Sequence, residues 1–401
     1  MTARHGVLRA GSTDPPPATS EFTALEGLLT AAADVAEAAR PEQRLLWRCA
    51  RVAPSPATLA EIRALGATLD ADGWARVVAR AEREGVENLL FTQIAAADLL
   101  PIMPTAVIER LRERWGAVTL LARRLELRLE QLLPELAAAG VAAIPLQGVG
   151  LARRAYGGSL SLRPVTDIDL LVRPSDAAAW RAVFPSAGFA PLAGRGDPLS
   201  GHALRFHETQ FVSVNGLRLE AHLSLCRLPA YRRAFAEAAI WRRAQPTTIH
   251  GVAALGLALE DELRYLSLHY AALHHASRLI WLVDVAELLR TRGNEVVWER
   301  LVEETIAWRC AAPLAITLQR AAALLDAPAP PWALERLTSA ALTRPERRAW
   351  LAGQAPMSDW RRFLAQTLAL ETTTQRLLLL RSGGASLAKR LRQRRQPTNR
   401  L

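Results

Sequence analysis

Residues 141–172 read VAAIPLQGVGLARRAYGGSLSLRPVTDIDLLV. The apolar run over 141–146 predicts a strand, which Gln147-Gly148 stops. Residues 149–156 carry helix formers at helical spacing, and Gly157-Gly158-Ser159 predicts a turn. Asp167-Ile168-Asp169 then opens a second apolar run that ends at Val172. Successive strand side chains alternate faces, so Asp167 and Asp169 share one face while Ile168 takes the core face. Two carboxylates on one face of a buried strand are costly unless a cation neutralises them. A divalent metal meets that need, and magnesium (Mg2+) suits a pair of hard oxygen ligands. The competing reading is an acidic pair that caps a turn at the start of the strand.

Farther along, residues 207–214 are strand-like, Asn215-Gly216 is the favoured two-residue hairpin turn, and 217–225 form the return strand. In that return strand Leu217, Leu219, Ala221 and Leu223 share one face, and Arg218, Glu220, His222 and Ser224 the other. Glu220 is therefore a third strand carboxylate, or else an exposed residue paired with Arg218. His222 follows on the same side. It fits a metal ligand, a phosphate contact, a support for a ligand, or a structural histidine.

The flanks read as helices. Residues 22–39 and 41–50 precede punctuation by Pro54, Pro56 and Gly66. Residues 70–84 place Trp74, Val77, Val78 and Ala81 on one face, and 87–96 form a short helix. A long amphipathic helix covers 105–138, with Thr105 as its N-cap, Gly140 as its stop and Pro134 as a kink near its end. Ser175-Asp176 caps a helix running to about Ala187, where Gly188 ends it. Past Leu257 the expected helices are 260–273, 277–290, 297–310, 313–325, 331–342, 345–352 and 360–380. His269, His274 and His275 are spaced so that one helical face does not carry all three, which reads as structural or solvent-facing rather than zinc-binding. Tyr270 and Trp281 read as core. Asp284, acidic within an apolar helix, either pairs with Arg278 or turns toward the cleft.

The chain of 401 residues carries a net charge of +11, and eight basic residues from Arg376 onward supply most of it. The tail reads as solvated, or as a contact for nucleic acid or another phosphate-bearing partner. Cys49, Cys226 and Cys310 are far apart and odd in number, which excludes a disulfide framework and fits a cytoplasmic protein. No apolar run approaches transmembrane length, and the N-terminus lacks a signal-peptide core.

With Gln147-Gly148, Arg163, Asp167-Ile168-Asp169-Leu170 and Glu220-Ala221-His222 taken together, the chain resembles the uncharacterised bacterial nucleotidyltransferases of the DNA-polymerase-β-like superfamily. Their pattern is an apolar strand ending in Lys-Gly, a short helix with a Tyr, an Arg, then Asp-Ile-Asp-Leu-Leu-Val, and later an Asp-x-His on a strand. The stretch Arg278-Leu279-Ile280-Trp281-Leu282-Val283-Asp284 is also similar, and the likeness runs over roughly residues 40–300. The resemblance implies an α+β fold with a small mixed β-sheet nucleotidyltransferase core flanked by N- and C-terminal helical regions. The expected division is a disordered leader over 1–22, helices over 23–138, the core over 139–250, a helical domain over 251–381 and the basic tail over 382–401.

Site roles follow from the same resemblance. Asp167, Asp169 and Glu220 would bind Mg2+. Gln147, Gly148, Arg163 and Thr166 would contact the nucleotide, with Gly148 allowing close backbone approach and Arg163 neutralising phosphate. His222 and Asp284 would support these groups or meet substrate. An acceptor hydroxyl, on a peptide or a small molecule, would attack the α-phosphate of a nucleoside triphosphate, with pyrophosphate leaving and two metals stabilising the entering and departing oxygens. Two positions depart from the family. Its Lys is Gln147 here, with Arg153 or Arg154 as substitute cations, and its third Asp is Glu220. The alternatives are a catalytically impaired nucleotide-binding scaffold of the same fold, or a nucleic-acid-binding module acting through the Arg-rich tail.

Overall fold

The computed structural model describes residues 40–192, 208–226, 237–274 and 276–340, with Leu228, Tyr231, Phe235 and a few positions between 367 and 380. The expected leader, the helix over 22–39, the helix over 345–352, nearly all of that over 360–380 and the basic tail lie outside the described residues.

Five helices come first: α1 Pro41–Cys49, α2 Pro56–Gly66, α3 Ala71–Glu84, α4 Glu87–Ala96 and α5 Thr105–Ala138. Helix α2 is absent from the sequence-based expectation, because Pro54, Pro56 and Gly66 read there as breakers. Pro56 instead sits in the first turn, where a missing N–H costs nothing, and the Ser55 hydroxyl caps the helix by accepting from Thr58 N at 3.1 Å. Asp70 caps α3 in the same way, accepting from Gly73 N at 2.7 Å. The cap expected of Thr105 does not form: Pro104 holds the cap position and Thr105 is the first helical residue. Pro134 does not stop α5, which ends four residues later. The stop is the left-handed Gly140 at φ +73°, with Val141 N bonding back to Leu136 O and Gly140 N to Ala137 O.

The mixed sheet follows, with β1 Ala143–Pro145, α6 Gln147–Ala155, β2 Asp167–Val172, α7 Ala177–Ser186, β3 Phe189–Pro191, β4 Glu208–Ser213 and β5 Arg218–His222. The strand order is β1-β2-β5-β4-β3. Strands β2 and β5 run parallel, and the other pairings are antiparallel. Gly216, at φ +76°, makes the expected β4–β5 turn. Helix α8 Glu237–Arg243 leads to a second hairpin, β6 Gln245–Ile249 and β7 Val252–Gly256, which the sequence reading omits. Its turn holds His250 at φ +46° and Gly251 at φ +84°, the two positive values a tight hairpin requires. His250 pairs with Glu126 of α5, which docks the hairpin. The remaining helices are α9 Leu259–Leu268, α10 Leu279–Arg292, α11 Trp298–Ala307, α12 Ala311–Leu325 and α13 Pro331–Thr338.

Two cores hold these elements. One face of the sheet, through Ile168, Leu170, Leu219 and Ala221, packs on Leu125 and Leu129 of α5 and on Trp180 and Phe184 of α7. The other core joins the two helical regions: Leu45, Trp74 and Leu89 share it with Val283, Leu288 and Leu314, and Ile144, Leu151 and Leu171 reach it from the sheet side. Each such buried Leu, Ile or Val contributes about 1.5–3 kcal/mol. The N- and C-terminal helices thus pack together against the sheet, and the carboxylate face opens toward α9 and α10. Among the described residues no helix is long and apolar enough to cross a membrane.

Candidate active site

The site begins with strand register. Asp167 lies beside Arg218, Asp169 beside Glu220 and Leu171 beside His222 in the parallel β2–β5 pair. Neighbouring strands are about 4.8 Å apart, so residues about fifty apart in sequence become side-by-side neighbours. Ile168 and Leu219 are buried on the far face, as the alternation requires. Asp169, Glu220 and His222 offer ligand atoms that all lie within 4.8 Å of one another. Asp167 is one strand step away on the same face and accepts from the Thr166 hydroxyl at 3.2 Å. All of these side chains line one cavity of about 320 Å³.

The acids of this face outnumber the positive charges beside them. Burial and the Asp169 charge push Asp167 up to about 6, against the opposing pull of the Thr166 hydrogen bond, His222 and Arg163. Burial, Glu208 and Asp169 push Glu220 up to about 7. Burial alone would lower His222, but its hydrogen bond to Asp169 at 3.1 Å and the surrounding acids outweigh that and raise it to about 9. Glu220 does not pair with Arg218. Gln210 of β4 donates to it at 2.6 Å and to Glu208 at 3.2 Å. Acids this close, raised rather than lowered, fit a site for a divalent cation: their oxygen donors converge beside His222, and no arginine forms an ion pair with Asp167, Asp169 or Glu220 among the described residues.

Arg163 is also in the cavity, but both its Nε and Nη2 are held at 2.7 Å by the two oxygens of Asp284. The Tyr156 hydroxyl donates to the same carboxylate at 2.6 Å. Asp284 is fully buried and lies behind Arg163 without lining the cavity. Expected either to pair with Arg278 or to turn toward the cleft, it instead pairs with Arg163, whose protonated form it strengthens against burial. Gln147 sits at φ +36° and donates its amide to the Tyr265 hydroxyl at 2.6 Å. At Gly148 a Cβ would come within 2.7 Å of Val165 Cγ1, so a side chain there would displace the segment that carries Thr166 and Asp167. Of the substitute cations expected on α6, Arg154 pairs with Glu262 at 2.6 Å, and neither it nor Arg153 lines the cavity.

Several cavity residues escaped the sequence reading. Glu208, opposite His222 in the β4–β5 register, follows from the alternation that exposes Gln210 on the same face. His269 and His274, read from the sequence as structural or solvent-facing, have ring centroids 4.3 Å apart, and both line the cavity. The reason is a π-helical turn, His269–Leu273, closed by His274 N to His269 O, which stacks residues five apart. Trp281, expected in the core, packs on His274 at 4.1 Å in the cavity wall, whereas Tyr270 is buried as expected. His275 lies outside the described residues.

Among protein-family models, one described as an uncharacterised nucleotidyltransferase matches residues 70–326. That range starts later and ends later than the resemblance over 40–300. The comparison with curated proteins gives no match.

Proposed function

We infer the reaction from one premise: the chain belongs to the uncharacterised nucleotidyltransferase family, and so it is a transferase that handles a nucleotide. The assigned reaction is Mg2+-dependent transfer of a nucleoside monophosphate from a nucleoside triphosphate to a hydroxyl acceptor on a peptide or small molecule. The observation that carries it is the adjacent register of Asp169 and Glu220, with His222 in the same cluster.

In this reading Asp167, Asp169 and Glu220 hold the cation, and the His222 hydrogen bond fixes the Asp169 carboxylate. Bound there, magnesium would offset phosphate charge and make the acceptor hydroxyl more acidic. The remaining work falls to the protein's own groups. Asp284 and Tyr156 hold Arg163 in place, so that its charge stands at the cavity wall beside Gly148. Gln147, Gly148 and Thr166 line the approach to the phosphates. The acceptor oxygen forms a bond to the α-phosphorus as the bond to pyrophosphate breaks. Its proton passes to Glu208, the cavity carboxylate left over when the other three are engaged.

Gln147 in the family's Lys position favours a second reading, nucleotide binding without transfer. Calorimetric titration of each nucleoside triphosphate with Mg2+, followed by a pyrophosphate-release assay over a panel of hydroxyl acceptors, separates the two. The transferase reading expects binding that Asp167→Ala abolishes, and pyrophosphate release with at least one acceptor. Absence of binding by the wild type defeats both readings, and equal binding by Asp167→Ala defeats the transferase reading. Binding without release leaves the second.

A further inference from the structure

Arg278 stands at the start of α10 and lines the same cavity as the four acids. Its side chain is held without a carboxylate. The guanidinium carbon lies 5.3 Å from the Trp281 ring centroid, and the bare face of Gly85 lets Nη2 pack where a Cβ would come within 2.5 Å. Its Nε is buried and has no hydrogen-bond partner. Such a buried donor costs free energy unless a ligand satisfies it. The nearby Glu84 carboxylate is taken up in capping α10, accepting from Leu279 N at 2.7 Å.

The other groups that could meet phosphate are largely engaged. Arg163 spends Nε and Nη2 on Asp284, and the Gln147 amide is committed to Tyr265. Arg278 therefore differs from Arg163 in having an unpaired Nε and no carboxylate partner among the described residues. None of the cavity acids pairs with it among the described residues. A cavity with carboxylates on one wall and an unneutralised guanidinium on another matches a ligand with a metal-bound end and an anionic tail.

We propose that Arg278, oriented by Trp281 and Gly85, binds the polyphosphate tail of the nucleotide and supplies the positive charge that Gln147 lacks. The assignment rests on the transferase reading above. Its test compares the wild type, Arg278→Gln, Arg278→Lys and Asp169→Asn by calorimetry, with each nucleoside triphosphate plus Mg2+ and with inorganic tripolyphosphate plus Mg2+. A charged hydrogen bond of this kind is worth about 10- to 100-fold in affinity. Arg278→Gln is expected to weaken both ligands by that factor while melting at the wild-type temperature, and Arg278→Lys to recover part of the loss. Wild-type affinity for both ligands in Arg278→Gln overturns the assignment and leaves the transferase reading standing. So does unchanged nucleotide affinity with a raised acceptor KM, because the arginine would then serve the acceptor. Should Arg278→Gln fail to fold, full affinity in Arg278→Lys for nucleotide but none for tripolyphosphate overturns it equally. If the wild type binds neither ligand, both readings fall together.

Discussion

The Asp284 carboxylate makes the sharpest stability prediction. It is fully buried and accepts from Arg163 Nε and Nη2 at 2.7 Å and from the Tyr156 hydroxyl at 2.6 Å. Asp284→Ala removes the partner of a guanidinium that is itself 5% exposed. Breaking a buried pair from one side costs about 3–5 kcal/mol, and the orphaned hydroxyl adds up to about 1–3. Against a total stability of about 5–15 kcal/mol this is a large fraction, and it lowers the melting temperature by roughly 10 °C. Arg163→Leu alone strands the carboxylate and costs a similar amount. The double variant Arg163→Leu/Asp284→Ala leaves no charge in the core, so it is expected to lie at least about 2 kcal/mol above the sum of the singles. Urea denaturation followed by circular dichroism, at constant slope, measures all four corners of the cycle. The reasoning is refuted if Asp284→Ala stays within about 1 kcal/mol of wild type, or if the double variant is additive.

The cavity acids set a pH dependence. Asp167 and Glu220 are raised to about 6 and about 7, so their contribution to folding is present below about pH 4 and lost as pH rises through those values. His222 is raised to about 9, so its contribution is present below about pH 6.5 and lost as pH rises through 9. With EDTA the melting temperature should therefore fall between pH 5 and 9, and added Mg2+ should restore it more at pH 8 than at pH 5.5; a cation effect independent of pH, or one retained in Asp169→Asn, contradicts the site. Glu208→Gln is expected to lower turnover at least tenfold while nucleotide affinity stays within a few-fold, read by pyrophosphate release beside calorimetry. A Cβ on Gly150 would meet Pro145 O at 2.3 Å, whereas one on Gly116 of α5 meets nothing within 4 Å. Thermal melts should show Gly150→Ala destabilised by about 1–3 kcal/mol and Gly116→Ala stabilised by up to about 1 kcal/mol.

Much of this was legible from the chain alone, because the governing rules are local. Alternation along a strand placed Asp167 and Asp169 on one face and Glu220 and His222 on another strand's equivalent face. The Asn215-Gly216 turn announced its hairpin, and helical spacing announced α3, α4 and α5. Punctuation rules failed where the same residues serve as starts, as Pro56 does in α2, and where a turn used His250 with Gly251. Tertiary structure decided what depends on elements distant in sequence. Nothing in the spacing of Asp169 and Glu220 says that β2 and β5 lie parallel with those two side by side. Nothing near Asp284 in the chain says that its partner is Arg163 rather than Arg278, six positions before it. The π-turn that brings His269 onto His274 is likewise invisible to a 3.6-residue period. Faces are set by the period of the backbone, which each segment carries within itself. Register, ion pairing and the closing of the cavity are set by how two packed cores bring those segments together, and that balance of burial and charge exists only in the folded chain.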